Sequence, residues 1–261
     1  FVACGNARRA YKCASTYSLH RRAFGRAIVH FPIVQDILAN MRADGAAILS
    51  GSLHIARYMD KAAQNSESEN HRGFLRMAIN LNKYRATVLA RSVILNGIEI
   101  LGGNGTIEEF SPLPRLLRDN VVYENWEGTH NVLLAQLQRD MRRYEIHQPF
   151  FAVVRDQIEK VGHGGIRDEI TGVVAVLERE LDEVLDMDEL TAGIYFRPLM
   201  NRTADLYYSA CMLAEAQWEL SEKNDRTKHR IATLFFNRRA LSREPKDIAY
   251  YDDLVSRLCS Q

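Results

Sequence analysis

Residues 72–101 read RGFLRMAINLNKYRATVLARSVILNGIEIL, and this stretch decides the fold. Phe74, Leu75, Ala78, Leu81, Tyr84, Val88, Leu89, Ser92, Leu95, Ile98 and Leu101 recur at helical spacing. A helix of about 30 residues is about 45 Å long at a rise of 1.5 Å per residue. Upstream, 33–63 repeats the pattern with Ile33, Ile37, Leu38, Met41, Ile48, Leu49, Leu53, Ile55 and Ala56. The polar segment 64–70 (QNSESEN) reads as the turn between them. Two such helices in tandem point to a bundle. Strand signals are weak, with no Asn-Gly turn between alternating β-branched runs. The fold class expected is all-α.

The rest of the chain extends this pattern. The second helix should stop at Gly102-Gly103, followed by a loop from Asn104 to Pro114, a short helix, a loop over 123–128 and a helix over 129–144. Pro149 suggests a boundary between units 1–147 and 148–261. Helical stretches then follow at 150–161, 166–187, 190–223, 226–242 and 246–260, with Gly162, Gly164 and Gly165 punctuating the first pair. Val173, Val174, Val176, Leu177, Leu181, Val184 and Leu185 make one broad apolar face of an amphipathic helix. The first residues already read as the interior of a helix, so further chain is expected before Phe1.

A formal net charge of +1 carries no global signal for nucleic acid or an acidic membrane. The charge is unevenly divided: 1–150 has 19 Lys+Arg against 13 Asp+Glu (+6), and 151–261 has 15 against 20 (−5). Cys4, Cys13, Cys211 and Cys259 have neither close pairing nor a neighbouring His in zinc spacing, and read as reduced thiols of an intracellular protein. No metal site and no membrane span are expected.

Three segments carry chemistry. In Arg21-Arg22-Ala23-Phe24-Gly25, an arginine fork suited to a phosphate precedes a glycine that permits chain reversal. Locally, a solvated helix end explains it equally well. In Glu99-Ile100-Leu101-Gly102-Gly103-Asn104-Gly105, glycines would let a ligand approach the backbone, and a helix C-cap is the bland alternative. The third segment runs from Leu113-Pro114-Arg115-Leu116-Leu117-Arg118-Asp119 to Trp126-Glu127-Gly128-Thr129-His130-Asn131. A carboxylate near a helix N-terminus can act as a base, or simply answer the helix dipole.

Together, in this order, the segments resemble the acyl-CoA dehydrogenase family: R-x-x-F-G, Q-x-x-G-G-x-G, P-x-x-R-x-x-R-D and aromatic-E-G-T. The resemblance covers about residues 1–147. It implies the family's C-terminal four-helix bundle followed by an additional helical extension, with N-terminal helical and β domains lying outside this sequence. It further implies FAD as cofactor and an acyl-CoA thioester as substrate, with Glu127 removing the α proton while flavin accepts hydride. Arg21, Glu99, Ile100, Leu101, Gly102, Gly103, Thr129, His130 and Asn131 would contact FAD, Arg21 across a subunit interface. Trp126 and Gly128 would face the substrate. Electron-transfer flavoprotein would be the electron acceptor, and the assembly a homodimer or homotetramer. The setting would be fatty acid metabolism, in the cytoplasm of a bacterium or the mitochondrion or cytoplasm of a eukaryote.

Departures from the family pattern narrow the resemblance. Pro32 stands where most members have Gln, Glu99 where most have Gln, Asn131 where most have Glu, and Thr106 where an aromatic is usual. Phe31-Pro32-Ile33-Val34, Glu99, Trp126 and the long extension resemble the AidB-like subgroup. That subgroup implies a second reading: a flavoprotein that mainly binds, sequestering acyl-CoA or contacting DNA in an alkylation response. A basic cluster at Arg226, Lys228, Arg230, Arg238, Arg239, Arg243 and Lys246 would be the DNA face, although it sits in the acidic half of the chain.

Overall fold

The helix read from 72–101 runs Glu69–Leu101 (α3) in the computed structural model, which describes residues 1–64, 68–242 and 252–259. Ser68 starts it, its hydroxyl accepting the His71 N–H at 3.3 Å. Gly102, at φ 61°, ends it. Buried residues lie all round α3, from Phe74 and Tyr84 to Ile94 and Ile100, as expected of a helix enclosed by others. α1 (Val2–His20), α2 (Pro32–Gln64) and α4 (Leu113–Asn125) pack against it as a four-helix bundle, and α5 (His130–Tyr144) follows α4 onto the same helix. The small buried stripe Ala3, Ala7, Ala10, Ala14 and Ser18 lets α1 approach closely.

α6 (His147–Glu159), α7 (Gly165–Asp186), α8 (Glu189–Lys223) and α9 (Thr227–Phe235) make the extension. α8 packs on α2 and α3 as well as on α7 and α9, so the apolar core runs unbroken from Ala3 to Leu258 across the 147/148 boundary. Phe74, Phe150, Tyr207 and Tyr208 bring aromatic rings from α3, α6 and α8 together. Gly51 of α2 packs directly against α8: a Cβ there would lie 2.4 Å from the buried ring of Tyr208. Gly51→Ala should therefore cost about 1–3 kcal/mol by overpacking, offset by up to about 1 kcal/mol of helix propensity. Thermal unfolding checks this; a stabilised variant would mean that Tyr208 can move.

Differences from the sequence reading are local. A two-residue antiparallel ribbon, Arg22–Ala23 with Arg26–Ala27, was not expected; its turn has Phe24 at φ 47° and Gly25 at φ 86°. A 3-10 turn, Gly102–Thr106, takes up the helix stop and the start of the loop expected from Asn104, and α4 continues to Asn125, shortening the loop after it. The helix expected at 226–242 becomes a π-helical turn at Phe236–Ala240. Of the helix expected at 246–260, Asp252–Ser256 and Arg257–Cys259 are helical and the remainder lies outside the described residues, as do 65–67 of the turn expected at 64–70. Pro32 is the first residue of α2, where a missing N–H costs nothing. By length and composition alone, 69–106 would pass as a membrane span. Its place at the centre of the bundle, with Arg85 paired to a buried Asp205 along it, accounts for that apolarity.

Candidate active site

Two grooves hold most of the residues singled out from sequence. The first, of about 370 Å³, brings Arg21 at the end of α1 together with Glu99, Ile100, Leu101, Gly102 and Gly103 at the end of α3, alongside Tyr17, Ile28 and Asn104. Segments 78 residues apart (99 − 21) thus meet at one end of the bundle. Arg21 is exposed, and its guanidinium makes no ion pair among the described residues. A Cβ on Gly102 or Gly103 would meet nothing within 4 Å, so the bare backbone there is open to a ligand.

The second groove, of about 260 Å³, runs between the start of α1, α2 and α3. Ile48, Ile55, Met59, Ile79 and Ala86 line it, and Trp126 and Glu127 stand at its rim. It shares no lining residue with the first. Trp126 is 47% exposed and Glu127 is exposed, so this chain alone does not enclose the carboxylate. Glu127 lies in the left-handed region at φ 50°, followed by Gly128 at φ 109°.

A polar stripe on α3 holds this turn. Lys83, Thr87 and Arg91 recur every four residues and therefore share a face. Lys83 Nζ donates to the carbonyls of Glu124 at 3.0 Å and Gly128 at 2.6 Å. Thr87 Oγ1 bonds His130 Nε2 at 3.0 Å, and its carbonyl accepts Asn120 Nδ2 at 3.0 Å. Arg91 pairs with the buried Glu124 at 3.2 Å, whose other oxygen accepts Asn120 Nδ2 at 2.9 Å. Burial pushes the Glu124 carboxyl up, against the pull of Arg91 and Asn120. Sequence reasoning missed this stripe. Its signal was Lys83, Thr87 and Arg91 at a four-residue interval along α3.

The start of α5 divides its three candidates. Thr129 occupies the N-cap position without a side-chain capping bond, which leaves its hydroxyl available. His130 turns inward, its ring edge-on to Tyr84 at 5.0 Å. Asn131 Oδ1 accepts Arg197 Nη2 of α8 at 2.6 Å, so the extension reaches the site. Burial, with Lys83, Arg197 and Arg91 adding to it, lowers the His130 pKa to about 4. Burial, with Lys160 and Arg57, does the same for His54, which bonds the Tyr207 hydroxyl at 2.9 Å. Both lie below the model-compound value of about 6.5. The unfolded chain therefore binds more protons below that value, and stability should fall as pH drops from about 6.5 towards 4. Thermal melts from pH 7.5 to 5 test this; a flat melting temperature would exclude neutral, buried imidazoles.

Residues 1–142 match the family described as acyl-CoA dehydrogenase, C-terminal domain. The chain belongs to the acyl-CoA dehydrogenase family. It is similar to acyl-CoA dehydrogenase family member 11 of Caenorhabditis elegans, 33% identical over 135 residues, covering 52% of this chain and 22% of that protein. It is also similar to the putative acyl-CoA dehydrogenase AidB of Escherichia coli K12, 27% identical over 154 residues, covering 58% and 28%. Among solved structures, Caenorhabditis elegans ACDH-11 in complex with C11-CoA aligns with a TM-score of 0.80 and 23% identity, over 98% of this chain and 43% of that one. An acyl-CoA dehydrogenase of Bacillus anthracis complexed with FAD gives 0.74 and 17%, over 99% and 50%. At these identities the likeness is one of fold, and it extends through the helices after residue 142. The chain spans about a quarter of the curated relatives it matches and half or less of these solved chains.

Proposed function

We propose that this chain is the C-terminal helical part of an FAD-dependent acyl-CoA dehydrogenase that oxidises the α,β bond of an acyl-CoA thioester, with Glu127 as the base. One observation carries the reading: a carboxylate at the rim of an apolar groove whose lining suits an acyl chain. Glu127 takes the α proton; the electron pair of that C–H bond becomes the new double bond as hydride leaves the β carbon. Trp126 walls the groove beside the carboxylate, and Gly128 supplies the turn that presents it.

The residues present fit FAD. Arg21, without an ion pair among the described residues and in one groove with the backbone bared at Gly102 and Gly103, suits a pyrophosphate, and Glu99 in the same groove can accept from hydroxyl groups. Thr129 offers an uncapped hydroxyl at the positive end of α5, next to Asn131. When bound, FAD supplies the hydride acceptor. Because the two grooves share no lining, we assign Arg21 and the 99–103 segment to the cofactor of a second copy, in a homodimer or homotetramer. Electron-transfer flavoprotein would then reoxidise the flavin.

A second reading, AidB-like action by binding alone, is favoured by the Asn131–Arg197 bond, which engages a candidate cofactor residue with the extension. The DNA variant of that reading is weakened by the surroundings of its basic cluster. Arg238 pairs with Asp36, Arg239 with Asp44, Lys228 with Glu215 and Arg230 with Asp253, while Arg243 and Lys246 lie outside the described residues.

Anaerobic addition of acyl-CoA to the full-length, FAD-loaded protein decides between the two readings. Bleaching of the oxidised flavin band is expected. Tight acyl-CoA binding without bleaching would overturn the dehydrogenase reading.

A further inference from the structure

The turn that presents Glu127 is built against local preference. A residue with a Cβ sits at φ 50°, and α4 ends just before it, leaving the last carbonyls of that helix without partners inside it. The ammonium of Lys83 answers both problems. It donates to the carbonyl of Glu124 in the last turn of α4 and to that of Gly128 directly after the base, at 3.0 and 2.6 Å. One half-buried ammonium on α3 thus fastens both ends of the segment 124–128. Lys83 also lines the same groove as Glu127. Burial draws its pKa down while the charges of Glu124 and Glu127 oppose that shift.

We propose that Lys83 is the positioning residue for the catalytic base: through the two carbonyls it fixes the left-handed turn that holds Glu127 at the groove rim. The proposal rests on the reading of Glu127 as base. Lys83 touches neither reacting carbon; it acts through the backbone on either side of residue 127. A misplacement of about 1 Å at a reacting group can cost about a hundredfold in rate.

The test uses the full-length, FAD-loaded protein and three readouts: the anaerobic bleaching rate at saturating acyl-CoA, the half-saturating acyl-CoA concentration, and the isotope effect of α-deuterated acyl-CoA. Lys83→Met should slow bleaching about tenfold to a hundredfold. Half-saturation should stay within about twofold, because the apolar walls at Ile48, Ile55, Met59 and Ile79 are untouched, and the α-deuterium effect should grow as proton removal becomes more limiting. Lys83→Arg, whose fork can donate to both carbonyls, should recover most of the rate. A wild-type rate in Lys83→Met overturns the proposal. So does a rate loss with an unchanged isotope effect and a parallel rise in half-saturation, which marks a residue that only supports the fold. Should Lys83→Met fail to retain FAD, Lys83→Gln carries the test, with about tenfold slower bleaching and a raised α-deuterium effect expected; wild-type values overturn it. Glu127→Gln run in parallel separates the two levels. If that variant bleaches normally, the base assignment fails; if it is inactive while Lys83→Met is normal, only the role of Lys83 fails.

Discussion

Glu127→Gln in the full-length, FAD-loaded protein is expected to slow bleaching of the flavin by acyl-CoA about 10²–10⁴-fold, the range a positioned general base contributes. The substitution keeps shape and removes basicity. A carboxylate can accept the α proton of a thioester; a primary amide cannot at neutral pH. The turn should survive, because the bonds that hold it run from Lys83 to the carbonyls of Glu124 and Gly128 and not to the Glu127 side chain. Residue 127 is exposed in this chain, so folding stability should change by less than about 0.5 kcal/mol. Flavin content should also hold, since the candidate cofactor contacts fall on Arg21, 99–103 and the start of α5. Stopped-flow absorbance, with flavin stoichiometry and acyl-CoA titration as controls, checks each part. A bleaching rate within tenfold of wild type would remove Glu127 from the role of base.

The sequence carried the helices and the ends of the grooves, but not what ties them together. Helix α3 was legible because its period is a local property, and Gly102 announced its end. The juxtaposition of Arg21 with Glu99–Gly103 was not read from sequence, since nothing in either segment specifies the other. The ribbon at Arg22–Ala27 escaped because its turn needs positive φ at two successive residues and one of them is Phe24, an unusual occupant. Lys83, Thr87 and Arg91 were hidden in a helix whose polar positions read as surface, whereas they face the turn after α4. Arg238 and Arg239 read as a basic cluster because their partners, Asp36 and Asp44, lie about 200 residues earlier. Charge runs show which side chains are ionised; the fold determines which of them are neutralised by a partner.

That dependence is strongest where the extension meets the bundle, and it gives the largest stability effect expected. Arg85 of α3 and Asp205 of α8 form a two-bond pair at 2.8 and 2.6 Å, with side-chain exposures of 9% and 3%. Arg85 also reaches Asn201 at 3.4 Å. Asp205→Ala would leave a guanidinium buried without its counter-ion, at a cost of about 3–5 kcal/mol. At about 2–4 °C per kcal/mol for a chain of this size, the melting temperature should fall by roughly 6–20 °C. The pair Arg155–Glu178, exposed at 52% and 28%, supplies the contrast. Arg155→Ala should cost no more than about 1 kcal/mol, because water already screens that contact. The double replacement Arg85→Met with Asp205→Leu should recover most of the loss, since the penalty comes from the orphaned charge more than from the missing attraction. Thermal melts of the four proteins, wild type included, measure all of this. If Asp205→Ala melts with wild type, the ion pair adds nothing net to the docking of α8 on α3. If the double variant is as unstable as the single one, the pair contributes net attraction beyond what packing can replace, and the extension's docking is electrostatic as much as hydrophobic.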